Sequence, residues 1–376
     1  PSKSKIMHCR QKGRALTRFP FKCGDDNLIT VDKYKYLGLW FTEYLDFQYM
    51  AEQVAGSAQR ALGLLLAKSK CVGGFPFKCF TKLYQSLVQS ILDYGACVWG
   101  HKQFPCIAAV QLRAIRSFLG LHSKTSNTAI MGDMGWTPQH VLQNLCIGRQ
   151  CIRYSQMEDS RLNKHIYQWA IDSRCDNSVN KLKQSFMNVD MGEMFDLNFV
   201  KCKQYTNVLQ YKLMEEYLES WYADLNRVNA KKGHGENKLR TYKCFKFRYE
   251  TEEYIKNHVV TFKERQALAQ IRCSASALRI ETGRYHNGQH LAVEDRICNM
   301  CNVQAVEDEF HAIIKCHLYN DIRDVLFEEA MKCNPGFEHW SDIEKFVYLM
   351  SSHEISKYCA NACRLILDRQ RNILNE

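Results

Sequence analysis

The sequence is poor in proline, with six in 376 residues, so long helices can run without interruption. It also lacks a long apolar run, since the longest, residues 61–67, covers seven positions and includes a glycine. That run is far too short for a membrane span or for the apolar part of a secretory signal. No nucleophile elbow, Walker loop or Rossmann glycine pattern occurs either. These absences argue against an integral membrane protein and against the enzyme classes that carry those motifs.

Positive charge is in excess, with a formal net charge of +11. A basic balance favours polyanionic partners, nucleic acid first and anionic membrane second, while a merely basic globular protein is the alternative. The eighteen cysteines are expected to be mostly reduced and buried, because no export signal is visible. We therefore expect an intracellular protein, in the nucleus or the cytoplasm. Because the first residue is Pro1 and not methionine, we also expect a segment upstream of it.

Apolar residues at three- and four-residue steps predict a mainly α fold. Three helices are predicted within residues 49–122, and others within 139–226, 252–278 and 341–374. In the second of the first three, the apolar face consists of Phe80, Leu83, Tyr84, Leu87, Ile91 and Leu92.

A small β-hairpin is predicted at residues 28–41, where β-branched and aromatic residues alternate roughly. The segment 24–27, Gly-Asp-Asp-Asn, is predicted to be a turn. Paired aspartates can bind the two metals of a polymerase, but no second acidic strand lies near these two. Residues 128–138 contain two glycines and a proline and are predicted to form a loop.

A metal site is predicted near the C-terminus, where Cys298 and Cys301 are separated by two residues and are followed by His311 and Cys316. Two cysteines at this spacing can hold one metal from a tight turn, and three thiolates with an imidazole suit zinc. Four protein ligands leave no open position, so the site would be structural. A chance grouping in a cysteine-rich chain is the alternative.

Two other residues could replace a ligand of this site, His317 and, less well placed, Cys333. Three acidic residues, Glu307, Asp308 and Glu309, lie between the second and third ligands. We expect one of their carboxylates to orient His311 through its free ring nitrogen.

A basic strip at residues 231–248 alternates cations with aromatic residues, namely Tyr242, Phe245, Phe247 and Tyr249. Cations that neutralise phosphates and rings that stack on bases are typical of single-strand binding. A solvated basic loop with aromatic residues in the core is the alternative. The residues predicted to contact nucleic acid are Lys231, Lys232, Lys238, Arg240, Lys243, Lys246 and Arg248, continued by Arg265 and Arg272.

Short stretches in a fixed order carry a resemblance to a known family. The first are Lys3-Ser4-Lys5-Ile6-Met7, Tyr34-Lys35-Tyr36-Leu37-Gly38, Leu92-Asp93-Tyr94-Gly95 with Trp99-Gly100, and Gly132-Asp133-Met134-Gly135-Trp136. The later ones are Lys238-Leu239-Arg240-Thr241-Tyr242, Leu268-Ala269-Gln270-Ile271-Arg272, Ile280-Glu281-Thr282-Gly283-Arg284-Tyr285, and the cysteine and histidine motif itself. Together they resemble the C-terminal part of LINE-type (non-LTR) retrotransposon reverse transcriptases over nearly the whole chain.

The resemblance implies a primer-grip strand with Tyr36, Leu37 and Gly38, and a zinc knuckle held by the four metal-site residues. The family's catalytic aspartates lie in an acidic strand and an aromatic-x-Asp-Asp turn ahead of this region, and neither is present. The family's endonuclease motifs are also missing. The implied segments are the end of a palm with the primer-grip hairpin (1–48), a helical thumb-like domain (49–125), a helical linker region (126–230), a basic linker and helix (231–290), the zinc knuckle (291–325) and a helical tail (326–376).

The first hypothesis is therefore a non-catalytic fragment or remnant of an RNA-directed DNA polymerase. It would bind RNA and DNA and one structural zinc, with no membrane partner and no small-molecule substrate. The alternative is a helical protein-interaction module with a structural zinc site. Nucleic-acid affinity should fall steeply with salt, whereas an apolar protein interface should not. Neither hypothesis predicts an oligomeric state.

Overall fold

The computed structural model describes residues 4–173, 178–195, 205–227, 238–286 and 289–375, and it is mostly helical, as predicted. Within these residues no helix is both long enough and apolar enough to cross a membrane. The chain divides into two compact units, each built from three separate stretches. The first comprises Pro1–Leu64, Tyr84–Gln111 and Thr137–Glu216, and the second comprises Leu65–Leu83, Leu112–Trp136 and Tyr217–Glu376.

Short strands occupy the start of the first unit. Strand β1 (Lys5–Ile6) pairs in parallel with β4 (Ile29–Thr30), and β2 (Lys22–Cys23) pairs antiparallel with β3 (Asp26–Asn27). The two-residue turn at Gly24 and Asp25 joins β2 to β3, so the turn predicted at 24–27 is confirmed in its first half, while Asp26 and Asn27 form β3.

The predicted hairpin is also confirmed, as β5 (Lys33–Tyr36) and β6 (Leu39–Thr42). Leu37 and Gly38 connect the strands with φ of 47° and 85°, the positive values that a tight hairpin turn of matching twist requires. The Tyr94 hydroxyl donates a hydrogen bond of 2.8 Å to the Leu37 carbonyl. A Cβ at position 38 would lie 3.0 Å from the Tyr94 ring, so the close contact and the positive φ together favour glycine.

Helices follow in both units. In chain order they are α1 (Gln48–Cys71), α2 (Phe77–Tyr84), α3 (Ser90–Leu92), α4 (Ala96–Trp99), α5 (Pro105–Leu119), α6 (Asn127–Met134), α7 (Gln139–Ser155), α8 (Leu162–Asp172), α9 (Ser178–Met187) and α10 (Tyr205–Asn226). In the first unit α7 packs against α4 and α8, and a 3₁₀ turn at Gly192–Phe195 contacts α7 and α9. Of the apolar residues that recur at three- and four-residue steps in α1, Met50, Val54, Ala58, Leu62 and Leu65 are buried and Ala61 is half-buried.

A π-helical segment, Gln85–Gln89, links α2 to α3 and shifts the helical register by part of a turn. As a result Val88 is fully buried and Leu87 is 47% exposed. The prediction that Leu87 faces the core is therefore wrong, because a uniform helical period cannot anticipate such a bulge.

The predicted loop at residues 128–138 is largely helix α6, in which Ala129, Ile130 and Met131 are buried. Gly132 lies inside this helix. A Cβ atom at this position would come within 2.5 Å of the Tyr242 hydroxyl oxygen, so the close approach of Tyr242 explains the glycine. Gly135 ends the helix with φ of 62°. The glycines thus mark a close approach and a helix end, and not a loop.

The second unit continues with α11 (Tyr242–Phe245), α12 (Glu253–Lys256), α13 (Phe262–Arg272), α14 (Arg279–Thr282), the strand pair β7 (Tyr285–His286) and β8 (Gln289–His290), α15 (Asn320–Cys333), α16 (Asp342–Ser351) and α17 (Ser356–Asn375). Thr261 and Ser341 begin α13 and α16 with capping boxes. Helix α17 packs along α13 and also contacts α12, α15 and α16. It buries Cys359, Cys363 and Ile366.

Candidate metal centre

Cys298, Cys301, His311 and Cys316 converge on one point in the second unit. Their four ligand atoms all lie within 4.8 Å of one another. The Cys301 sulfur is 3.4 Å from Nε2 of His311, so Nε2 is the ring nitrogen that faces the cluster. Cys298, His311 and Cys316 are buried and Cys301 is half-buried. These residues form a group that could hold a metal ion.

A short β-ladder presents the first two ligands. Ile297 and Val306 form an antiparallel bridge, and the Cys298 N–H donates to the Ala305 carbonyl at 2.8 Å. In the loop after Cys298, the Met300 N–H donates a hydrogen bond to the Cys298 sulfur at 3.4 Å. A backbone N–H directed at a sulfur favours its thiolate form, which is the form that binds metal.

A π-helical turn, His311–Lys315, presents the other two ligands. The Cys316 N–H donates to the His311 carbonyl at 2.8 Å, a five-residue spacing that brings both side chains to the cluster. Arg323 holds this turn by donating to the carbonyls of Ile313 and Cys316, at 2.9 and 2.7 Å. Sequence reasoning missed Arg323, because nothing in its spacing links it to the ligands.

The three acidic residues between the ligands do not orient the His311 ring, and that expectation is wrong. Buried Nδ1 of His311 has no hydrogen-bond partner among the described residues. Asp308 instead accepts the backbone N–H of His311 at 2.7 Å. The Asp308 side chain, three residues before His311, has the spacing of a helix cap, a signal that the sequence does contain.

Glu307 and Glu309 connect the end of the short β-ladder, which contains the Ile297–Val306 bridge, to neighbouring elements. Glu307 accepts the Arg279 N–H and the Gln370 amide, each at 3.0 Å. Glu309 accepts from Arg240 at 2.9 Å and from Thr241 at 3.2 Å. Burial raises the pKa of both carboxyl groups, so these hydrogen bonds offset the cost of their desolvation.

Burial also sets the protonation states of the ligands. It raises the pKa of Cys298, raises the pKa of Cys316 to about 12, and lowers the pKa of His311. At neutral pH without a metal, the Cys298 and Cys316 thiols are therefore protonated and the His311 imidazole is neutral. A neutral imidazole is ready to bind a metal, whereas these two thiols must first release protons.

Neither substitute ligand belongs to the cluster. His317 and Cys333 are exposed, and the only potential metal-holding group among the described residues contains the four predicted ligands. Asp25 and Asp26 lie exposed in the β2–β3 hairpin and belong to no such group.

The residues predicted to contact nucleic acid differ in their exposure to solvent. Lys231 and Lys232 lie outside the described residues. Lys238 and Arg240 are half-buried and approach Glu281, at 3.6 and 3.5 Å. Lys243 and Arg248 are exposed. Of the interleaved aromatic residues, Tyr242 and Phe245 are buried, Tyr249 is half-buried and Phe247 is 62% exposed.

Three of the predicted contacts are buried, and the assignment is corrected at these positions. Lys246 pairs with Glu252, and its ammonium also donates to the Glu250 carbonyl at 2.8 Å. The Arg265 guanidinium lies over the Phe118 ring, 4.1 Å from its centroid. Arg272 is 1% exposed and pairs with Asp133. The sequence shows which residues are positively charged, but it does not show which of them are buried in the fold.

Asp133 is the centre of this buried network, and sequence reasoning gave it no role. Its carboxylate accepts hydrogen bonds from Tyr242, Tyr254 and Arg272 at 2.8–2.9 Å. Burial alone would raise the pKa of Asp133, but the charge and hydrogen bonds of Arg272 outweigh it and hold the pKa below its ordinary value. The network joins α6 to α11, α12 and α13, and it gives the second unit a polar core.

No protein-family model, no curated protein and no solved structure matches this chain. The geometry of the cluster and the chemistry of its side chains therefore carry the metal proposal.

Proposed function

We propose that Cys298, Cys301, His311 and Cys316 hold one structural zinc ion. The observation that carries this proposal is the convergence of four ligand atoms within 4.8 Å. Zinc bonds of about 2.3 Å to sulfur and 2.0–2.1 Å to nitrogen place tetrahedral ligand atoms roughly 3.5–3.8 Å apart. The largest observed separation, at most 4.8 Å, exceeds that range by only about an ångström. A closed set of four soft and borderline ligands would stabilise the hairpin and the π-helical turn and activate no water.

The zinc content of purified protein tests the site. We expect one zinc per chain, and loss of that zinc in Cys298→Ser and His311→Ala, since each change removes one ligand. Matched controls are Cys333→Ser and His317→Ala, which should keep full zinc because these side chains lie outside the cluster. Zinc that survives both ligand substitutions, or that disappears equally in the controls, contradicts the assignment.

We further propose that the chain is a non-catalytic, nucleic-acid-binding part of a LINE-type reverse transcriptase, placed in the nucleus or the cytoplasm. The order of the family-like stretches supports this proposal, together with the net charge of +11. Strand β5 adds support, because all four of its residues, two lysines alternating with two tyrosines, are exposed. Tyr36 and Leu37 are 60% and 73% exposed at the hairpin tip. Exposed rings beside cations can stack on bases while the cations neutralise phosphates.

The salt dependence of binding distinguishes this proposal from a protein-interaction module. We expect binding of single-stranded RNA or DNA to weaken steeply with salt. The combined change Lys243→Ala and Arg248→Ala should reduce the slope by about one for each phosphate that is no longer neutralised. Lys332→Ala is the control, because this exposed lysine is paired with Glu329 and lies outside the strip. Affinity that is independent of salt, or a slope unchanged by the double change, favours the protein-interaction alternative.

The absence of polymerase activity is part of the same proposal. We expect no primer extension by this chain with magnesium or manganese, because the family's two acidic motifs are missing from its sequence. Reproducible primer extension by the purified chain would contradict this part of the proposal and would not affect the zinc assignment.

A further inference from the structure

A cavity of about 430 Å³ lies within the second unit, away from the metal cluster. The end of α1, the glycine turn after it, α2, the end of α5 and the start of α13 form its walls. Its apolar surface comes from Leu66, Phe80, Phe118 and Phe262. This size and lining are typical of a site for a small molecule.

The unusual wall residue is Arg265, which is 6% exposed. Its Nε donates to the Phe118 carbonyl at 3.3 Å, and its guanidinium lies over the rings of Phe118 and Phe262, at 4.1 and 5.5 Å from their centroids. Within the part of the chain that the structure describes, Arg265 makes no ion pair with a carboxylate. Burial lowers its pKa to about 10. A buried cation without a carboxylate partner is costly, and the ring faces and one carbonyl compensate only part of that cost.

Further donors surround the same cavity. Lys70 lies at its edge and is exposed, and Ser69 and Ser117 line it. The Ser69 hydroxyl oxygen accepts the Phe75 N–H at 3.2 Å, so its own hydrogen can be donated to a ligand. The cavity thus combines two cations and two hydroxyl groups with an apolar interior.

We propose that this cavity binds a small organic anion with a flat apolar body, whose acidic group pairs with Arg265 and Lys70. The anion supplies the counter-charge that Arg265 lacks, and the body fills the space between Leu66, Phe80 and Phe118. Inorganic phosphate would leave this apolar surface in contact with water. A neutral aromatic compound would leave Arg265 without a partner. The site is independent of the zinc and nucleic-acid proposals.

Calorimetric titration of the unaltered chain with matched compounds tests the site. The probes are 1-naphthoate, its neutral amide 1-naphthamide, inorganic phosphate and adenosine 5′-monophosphate. We expect saturable binding of 1-naphthoate at one site per chain, and binding of the neutral amide weaker by about tenfold or more, because the amide has no negative charge to pair with Arg265 and only one acceptor oxygen in place of two. Inorganic phosphate should bind more weakly than either organic anion. The comparison of naphthoate with the nucleotide distinguishes a carboxylate ligand from a phosphorylated one.

Variants locate the binding. Arg265→Met should weaken naphthoate binding by about tenfold or more. Since this change also removes the contacts to Phe118, Lys70→Gln provides a second variant at an exposed position, with Lys68→Gln on the same helix as its control. We expect a loss of affinity for Lys70→Gln alone of the two. Equal binding of naphthoate and its amide, or affinity unaffected by both Arg265→Met and Lys70→Gln, overturns the proposal.

Discussion

Asp133 and Arg272 form an ion pair that is almost completely buried, at 2.8 Å. Such a pair contributes little compared with a well-packed apolar substitute, but removal of one partner leaves the other charge buried and alone. Glu252, at 3.1 Å from Arg272, compensates only in part. The pair therefore links α6 to α13.

We expect Asp133→Asn to destabilise the chain by about 3–5 kcal/mol at neutral pH, because it leaves the Arg272 charge without its main partner. Urea-induced unfolding measures the difference. The control is Glu253→Gln, which breaks an exposed pair with Lys256 and should cost less than about 1 kcal/mol. Similar costs for the two changes would show that the buried pair has no special role.

The loss of stability caused by Asp133→Asn should depend on pH. Asp133 has a pKa below its ordinary value of 3.8 in the folded chain, so its contribution is present above pH 3.8 and is lost as the pH falls through the folded-state pKa. We expect the stability difference between the native chain and Asp133→Asn to be constant at neutral pH and to shrink in acid. A difference that grows as the pH falls would reverse the sign and contradict the ion pair.

At the scale of single elements, the end of α6 depends on Gly135. A side chain there would lie on the backbone of Glu250 and Thr251, in addition to requiring a left-handed conformation. Gly73 shares the left-handed conformation, with φ of 77°, but has open space around it. Comparing substitutions at the two positions therefore distinguishes the cost of backbone strain from the cost of a steric collision.

We expect Gly73→Ala to cost about 1 kcal/mol, the strain of the left-handed conformation alone. Gly135→Ala should cost a further 1–3 kcal/mol or so, because the new methyl group displaces a neighbouring backbone segment. Thermal or urea unfolding of both variants gives the comparison. Equal losses would mean that the segment after α11 moves aside freely.

Elements were predictable where a local pattern decides them. Regular apolar spacing predicted α1, and the alternation over residues 28–41 predicted a hairpin, which the structure forms at residues 33–42. The same method failed at Leu87, since a π-helical bulge changes the period, and at α6, since glycine can mark close packing as well as a loop. The failure at α6 has a tertiary cause, the approach of Tyr242 to Gly132, that no short window of sequence contains.

At the scale of the whole molecule, removal of the metal should act locally. We expect a strong chelator to increase amide hydrogen exchange at residues 296–320 and to leave α2 and α5 protected, because a small metal-held module has little core of its own. Added zinc should restore protection. Exchange that rises equally throughout both units would show that the metal supports the entire fold, and no change at all would argue against a structural zinc.

The metal ligands were predictable as a set because they lie within 19 positions, from Cys298 to Cys316, and their chemistry is specific. The Asp133 network was not, since Arg272 is 139 positions away and each residue alone resembles an ordinary surface charge. The same limit explains why Lys246, Arg265 and Arg272 were assigned to nucleic acid. Burial is a property of the assembled chain.

The packing of α17 along α13 has a consequence for synthesis on the ribosome. The contacts of α17 with this part of the chain join residues far apart in sequence; Gln370, for example, donates to the carbonyl of Ala277, which follows α13 and lies 93 positions earlier. At about 5–20 residues per second, α13 emerges roughly 5–20 s before the helix that covers it. During that interval Leu268 and Ile271, buried in the finished fold, have no α17 to pack against. Nascent chains halted between the two helices should therefore recruit chaperones that bind apolar segments, and chains extended through α17 should release them.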